Sequence, residues 1–279
     1  MKYLLNFLYI CHVTMQYMAY VLLGIYLLFA VVLQFLMGDF PVSLFSFPLN
    51  VILLVLWSGA VFGSWKNRRN SLFVRFMLSS GATLSAIGLT ILFCLVIGIT
   101  GWRWLTGTWP FIFLLIYFQT VLLYVIIRGW RRLRFFLLHV GLLTATGSAF
   151  WGAPDSETLR MQAYLDTPVS EAFRMDGKVI WMNFEVIVTD FEVEHESNGM
   201  PSDYSAEINI GGNNAVLKVN HPYSVNFATD LYLSGYDQQN QEYCILQVVR
   251  EPWKYGVLAG IIMMLAGAFL LFISGPSRR

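Results

Sequence analysis

Acidic side chains are almost missing from most of this 279-residue chain: outside residues 155–251 the only one is Asp39. Charge of either sign is scarce, at 13% of residues against roughly 25% in soluble domains. That deficit argues against a wholly soluble protein. Cysteine is nearly absent too. Cys11, Cys94 and Cys244 stand alone, with no Cys-x-x-Cys, so a thiol–disulfide reductase motif is excluded and a disulfide is not expected. No glycine-rich loop suited to phosphate appears, and no local spacing gives a Ser–His–Asp or Cys–His arrangement. An enzyme acting alone is therefore not supported.

What the chain does have is apolar surface, with 57% hydrophobic and 16% aromatic residues. A spanning helix needs about 20 apolar residues. Six segments are predicted to span, near Met15–Met37, Phe47–Gly63, Phe76–Ile99, Trp109–Ile127, Phe135–Trp151 and Tyr255–Ser274. The first run is too long for a cleaved signal and is expected to remain in the mature protein. Lys66, Arg68, Arg69 and Arg75 follow the second segment; Arg128, Arg131, Arg132 and Arg134 follow the fourth; Lys2, Arg278 and Arg279 mark the ends. Short basic loops stay in the cytoplasm. Six spans put all these sites on one side, with both termini cytoplasmic. Seven of nine Trp residues fall near predicted span ends, as an aromatic belt requires. Gly59 with Gly63, and Gly256 with Gly260, have spacings that let helix backbones approach, and Gly81, Ser85 and Gly88 form another small-residue face.

Between the fifth and sixth spans lies the acid. Residues 155–251 hold 16 Asp and Glu against five Lys and Arg, a net of −11. Residues 152–253 read as a mostly-β extracytoplasmic domain of sandwich-like character, preceded by a five-helix region, 1–151, and followed by a C-terminal helix and tail, 254–279. Val179–Val193 alternates, with Phe184, Val186 and Val188 on one face. Ser205–Ile210 and Ala215–Asn220 flank Gly211-Gly212-Asn213-Asn214, a hairpin signal. Leu231–Tyr236 and Tyr243–Val249 are further strands. Short connections tether the domain close to the membrane. Neither Glu194-His195-Glu196, whose side chains alternate across a strand, nor the isolated His221 makes a convincing metal site.

The polar residues inside the spans are more informative. His139 lies four residues into the fifth span, just past the Arg131–Arg134 cluster. An ionisable residue there is a functional candidate, and imidazole is a common axial ligand of haem iron. The competing roles are a hydrogen bond to a neighbouring helix and a side chain snorkelling to the interface. Gln119 and Gln34 suit interhelical hydrogen bonds.

From about Gln119 to Phe272 the chain resembles the ResB-like (CcsB) family of system II cytochrome c biogenesis proteins. The likeness rests on His139-Val140-Gly141-Leu142, on Asn183-Phe184-Glu185-Val186 with Asp190-Phe191, and on Gly199-Met200-Pro201-Ser202-Asp203-Tyr204. Lys218-Val219-Asn220-His221-Pro222 and Arg250-Glu251-Pro252 complete it. It fades before residue 119. The resemblance implies a non-catalytic subunit of a membrane cytochrome c synthase that helps move haem across the membrane and positions it and the apocytochrome for covalent attachment. It implies His139 as ligand to the iron of haem b, a transient substrate, and apocytochrome c as a partner. It also implies a CcsA-like membrane partner with a Trp-rich haem-binding segment, which Gly101-Trp102-Arg103-Trp104 does not match. The expected location is the bacterial inner membrane, multi-pass, with residues 152–253 in the periplasm. Membrane lipid is an expected contact and nucleic acid is not. Two rival readings remain: a membrane-anchored assembly or sensor protein that uses its β-domain to bind protein without haem, and a transporter, for which no Gly- or Pro-interrupted span pair is seen.

Overall fold

Apolar runs punctuated by Ser caps, Gly and Pro give the first part of the chain its helices. The structure is a computed structural model, and it describes residues 2–66, 68, 71–195, 201–237 and 242–274. The chain divides into two compact units: Met1–Pro154 with Tyr255–Arg279, which is helical, and Asp155–Lys254, which is β.

The helices are α1 Lys2–Met37, α2 Leu49–Trp65, α3 Leu72–Met77, α4 Ser80–Thr100, α5 Trp109–Gly129, α6 Leu133–Gly152 and α7 Lys254–Ser274. Among the described residues α1, α4, α5, α6 and α7 are long and apolar enough to cross a membrane. The second predicted span is α2, 17 residues long as expected and the shortest of the six. The third predicted span is α4, which starts at Ser80 rather than Phe76, because the Ser79 hydroxyl accepts from the backbone N–H of Ala82 and caps a new helix two residues after α3 ends. That N-cap geometry satisfies a donor the preceding turn cannot reach.

α5 is the centre of the bundle, buried from Gln119 to Ile126, while the other long helices bury few residues. Polar pairs fix its neighbours. Gln34 Oε1 accepts from the Trp109 N–H at 2.9 Å, which ties α1 to the start of α5. The Trp57 indole donates to Thr120 Oγ1 at 3.0 Å, and the Trp151 indole donates to Gln119 Oε1 at 3.0 Å. Both glutamines thus make the interhelical bonds expected of them. Trp151 and Trp57 serve packing inside the bundle, so the placement of Trp151 near a helix end is not belt geometry alone. Asn50, 1% exposed, donates to the Trp151 carbonyl at 2.9 Å and satisfies an acceptor in the last turn of α6.

α6 and α7 meet through glycine. A Cβ on Gly141 would lie 2.7 Å from the Gly260 carbonyl oxygen and 2.8 Å from the Met264 nitrogen, and one on Gly260 would strike Ala145. Gly256 faces Ser148. By contrast Gly59 and Gly63 have nothing within 4 Å, so only the Gly256–Gly260 spacing is used within the bundle.

The β unit has eight strands: β1 Glu157–Tyr164, β2 Val169–Phe173, β3 Val179–His195, β4 Pro201–Ile210, β5 Asn213–Lys218, β6 Tyr223–Asn226, β7 Thr229–Tyr236 and β8 Tyr243–Arg250. They form one antiparallel sheet in the order β5-β4-β3-β2-β1-β8-β7-β6. The sandwich-like unit expected is one continuous sheet, and one face of its strands lines a single core. Alternation supplies that core: Leu159, Met161 and Ala163 from β1, Leu246 and Val248 from β8, Val186 and Val188 from β3. β3 shifts register between Val188 and Asp190. The extra residue moves the inward positions from Phe184, Val186 and Val188 to Phe191 and Val193. The predicted hairpin is present, with Ile210 opposite Asn213. Gly211 and Gly212 hold positive φ of 57° and 85°, which side-chain-bearing residues rarely adopt. The side chains of Glu194, His195 and Glu196 lie outside the described residues.

Candidate functional site

The turn between α5 and α6 carries Arg128, Arg131, Arg132 and Arg134. It folds against the end of α2 and the α3–α4 junction. Arg128 Nη1 donates to the Leu78 carbonyl at 2.9 Å, and Trp65 joins Arg128, Trp130, Arg131, Arg132 and Phe135 around a cavity of about 630 Å³. Arg68, whose guanidinium lies over the Trp65 ring, therefore sits at the same end of the helical unit as Arg128, Arg131 and Arg132. Gln34, Phe40, Asn50, Gly107, Trp109 and Trp151 meet at the other.

His139 is six residues into α6, about 9 Å along its axis. Its imidazole stacks on the Phe135 ring, one turn nearer the basic end, with centroids 3.8 Å apart and planes inclined by 23°. Nδ1 lies 2.8 Å from the Phe135 carbonyl oxygen. A carbonyl only accepts, so Nδ1 carries the proton and donates. In the neutral ring the lone pair is then on Nε2, which has no hydrogen-bond partner among the described residues. This is the arrangement that readies a histidine as a metal ligand: one nitrogen anchored to backbone, the other left to donate. The hydrogen bond runs to its own helix rather than to a neighbouring one. Phe135 and Leu143, one turn to either side, pack on the core around α5, while Gly141 faces α7. His139 is half-buried on the stripe between them.

Sequence reasoning found His139 but missed Phe135 and Trp65. The aromatic stack was visible as Phe135 and His139 four residues apart, a spacing that brings side chains together on a helix. Trp65 is seventy residues earlier, and nothing local places it there. A second cavity, of about 880 Å³ at the opposite end of the bundle, is lined by Phe45, Trp57, Phe111, Phe150 and Trp151 with almost no polar surface. Asn50 lines it, but both ends of its amide are engaged, with Trp151 and with the Val51 N–H.

The other residues singled out have structural roles. Asn220 takes φ +61° in the turn that bridges Lys218 to His221, and His221 is exposed. Arg250 pairs with Glu157 at 3.6 Å, and the Glu251 N–H donates to the Ala228 carbonyl at 2.7 Å. Asp155 accepts from the Trp253 indole and Asp230 takes the Lys254 ammonium on both oxygens.

The model of the ResB-like family matches residues 128–244, from the arginine turn through His139 to the start of β8. The sequence resemblance to ResB-like proteins is thereby borne out over that segment. Arg250-Glu251-Pro252 falls outside it. No curated protein matches the chain. Among solved structures the chain is similar to "Cytochrome c Heme Lyase CcmF", with 14% identity and a TM-score of 0.37. That alignment covers 79% of this chain and 44% of the other, so the chain spans less than half the length of that protein.

Proposed function

We propose that the protein is a haem-handling subunit of a membrane cytochrome c biogenesis complex, with six spans, cytoplasmic termini and the β unit outside. The observation that carries this reading is the state of His139: Nδ1 anchored to the Phe135 carbonyl, Nε2 unengaged, one turn from an arginine-lined aromatic cavity, all within the segment that matches the ResB-like family.

Haem is cargo in this scheme. Its charged propionates suit Arg128, Arg131 and Arg132, its porphyrin face suits Phe135 and the neighbouring indoles, and Nε2 of His139 donates its lone pair to the iron. The backbone carbonyl of Phe135 keeps the ring in the tautomer that leaves Nε2 basic. A half-buried ligand leaves the iron's other axial position to a second polypeptide, of the CcsA type. The chain binds and orients; the thioether bonds form on that partner. The β unit then serves apocytochrome c.

The test is the absorption spectrum of the chain purified with its membrane partner. Wild type should show a bis-ligated haem Soret band. His139→Gly should lose it and regain it with added imidazole, which refills the vacated ligand position. A wild-type complex without haem absorption, or a His139→Gly complex with an unchanged spectrum, overturns the proposal.

A further inference from the structure

Both chain connections leave the β unit at the same end. The Trp253 indole bonds the Asp155 carboxylate at 2.8 Å, and Lys254 is paired to Asp230, so entry and exit are held together. Two hairpin tips reach that level. The β2–β3 tip is drawn there by Arg174, whose guanidinium grips Glu157 in the first turn of chain after the connection. The β6–β7 tip is drawn there by the bond from the Glu251 N–H to Ala228.

The outward residues at those tips are apolar. Met175 is 83% exposed, Trp181 68% and Phe227 64%, with Val179 and Phe173 paired across the β2–β3 hairpin and also exposed. Farther along β3 the outward positions turn polar, to Asn183 and Glu185. The end with the connections is mixed in charge: Arg160, Arg174, Lys178 and Arg250 stand with Asp155, Glu157, Asp176, Asp230 and Glu251, and Glu157 is paired with Arg174 and Arg250 and Asp230 with Lys254. Asp190, Glu192, Asp203, Glu207, Asp237 and Glu242 lie toward the far strand ends, where Lys218 is the only basic residue among the described ones.

We infer that this end of the β unit is a lipid-docking surface, with Met175, Trp181 and Phe227 seated in the headgroup layer. Three features select a bilayer over a protein. The end is joined on both sides directly to helices long and apolar enough to span. Its side chains are the Trp, Phe and Met that partition to an interface. Finally, its Glu157 and Asp230 carboxylates are paired with cations, and the strand ends richest in acid lie at the other end of the unit, away from a surface that repels anions. The inference rests on the membrane reading of the helices and is independent of haem.

The test uses full-length protein in bilayer nanodiscs. A polarity-sensitive fluorophore is placed by Met175→Cys, by Phe227→Cys and, as the far control, by Glu185→Cys. The labelled wild-type chain supplies the background; Cys94 in α4, the exposed thiol among the described residues, doubles as a lipid-facing reference. Probes at 175 and 227 should be quenched several-fold more by headgroup spin labels than the probe at 185, and be shielded from aqueous iodide. If Cys94 is lipid-quenched while 175 and 227 behave like 185, this inference fails and the membrane reading stands. If Cys94 is not lipid-quenched either, the membrane reading itself fails. Shielding of 175 that appears only when a second protein is added assigns the surface to protein and overturns the lipid assignment.

Discussion

The indole nitrogen of Trp253 lies 2.8 Å from a carboxylate oxygen of Asp155, ninety-eight residues earlier in the chain. The bond closes the β unit at its two ends, and the Lys254–Asp230 pair, with side chains 19% and 13% exposed, reinforces it. Trp253→Phe keeps the ring and removes the donor, so it should cost about 1–2 kcal/mol of β-unit stability. Asp230→Asn, which strands a partly buried ammonium, should cost more than Trp253→Phe. Chemical unfolding of the full chain in detergent, followed by the sheet signal in circular dichroism, gives the ranking; equal losses would show that the ion pair contributes nothing beyond a neutral contact.

Glycine at the α6–α7 crossing is required for space. Gly141→Ala pushes a methyl group to 2.7 Å from the Gly260 carbonyl, so the helices must part. A loss of about 1–3 kcal/mol is expected, as for overpacked interiors. Gly59→Ala has open space and, through helix propensity, should be neutral or mildly stabilising. Thermal melting of the two variants in one detergent separates them.

Cys244 is 2% exposed in the core of the sheet, and burial pushes its thiol up from 9.0 to about 12. Its folded-state value is raised, so the folded protein keeps a proton that the unfolded chain releases. Stability from this group is complete below pH 9.0 and is lost as pH climbs towards about 12. Within that window the slope is about 1.4 kcal/mol per pH unit. Denaturation of wild type and Cys244→Ala across the window should show the slope vanish in the variant. Maleimide should modify Cys244 only after unfolding.

Phe135→Ala removes the ring beneath His139 but keeps the backbone carbonyl that orients it. Haem bound through Nε2 should therefore weaken without disappearing, whereas His139→Ala should abolish it. A titration with haemin, read at the Soret band, distinguishes a shifted affinity from a lost one. Identical loss in both variants would mean that the stack, not the ligand, governs binding.

The sequence carried some of this plainly. The hairpin around Gly211 and Gly212 was legible because two adjacent positive φ values demand such residues. β3 was legible through its long alternation. β6 was not, since Tyr223–Asn226 is four residues with one apolar aliphatic side chain. β1 and β2 were obscured because a short alternating run directly after a hydrophobic helix reads as its frayed end. The α3–α4 break hid inside an apolar stretch, and only the Ser79 cap marks it. His139 was conspicuous as an ionisable group among apolar residues. Its surroundings were not, because Trp65 reaches the α5–α6 turn only through tertiary folding.

The glycine seam between α6 and α7 also sets an order of manufacture. α6 leaves the ribosome first, the whole of Asp155–Lys254 follows, and only then does Gly260 arrive to meet Gly141. The helical half is thus completed last, by its final helix. A nonsense codon anywhere in the β unit would leave Gly141 and Ala145 bare, so the injury would extend well beyond the strands it removes.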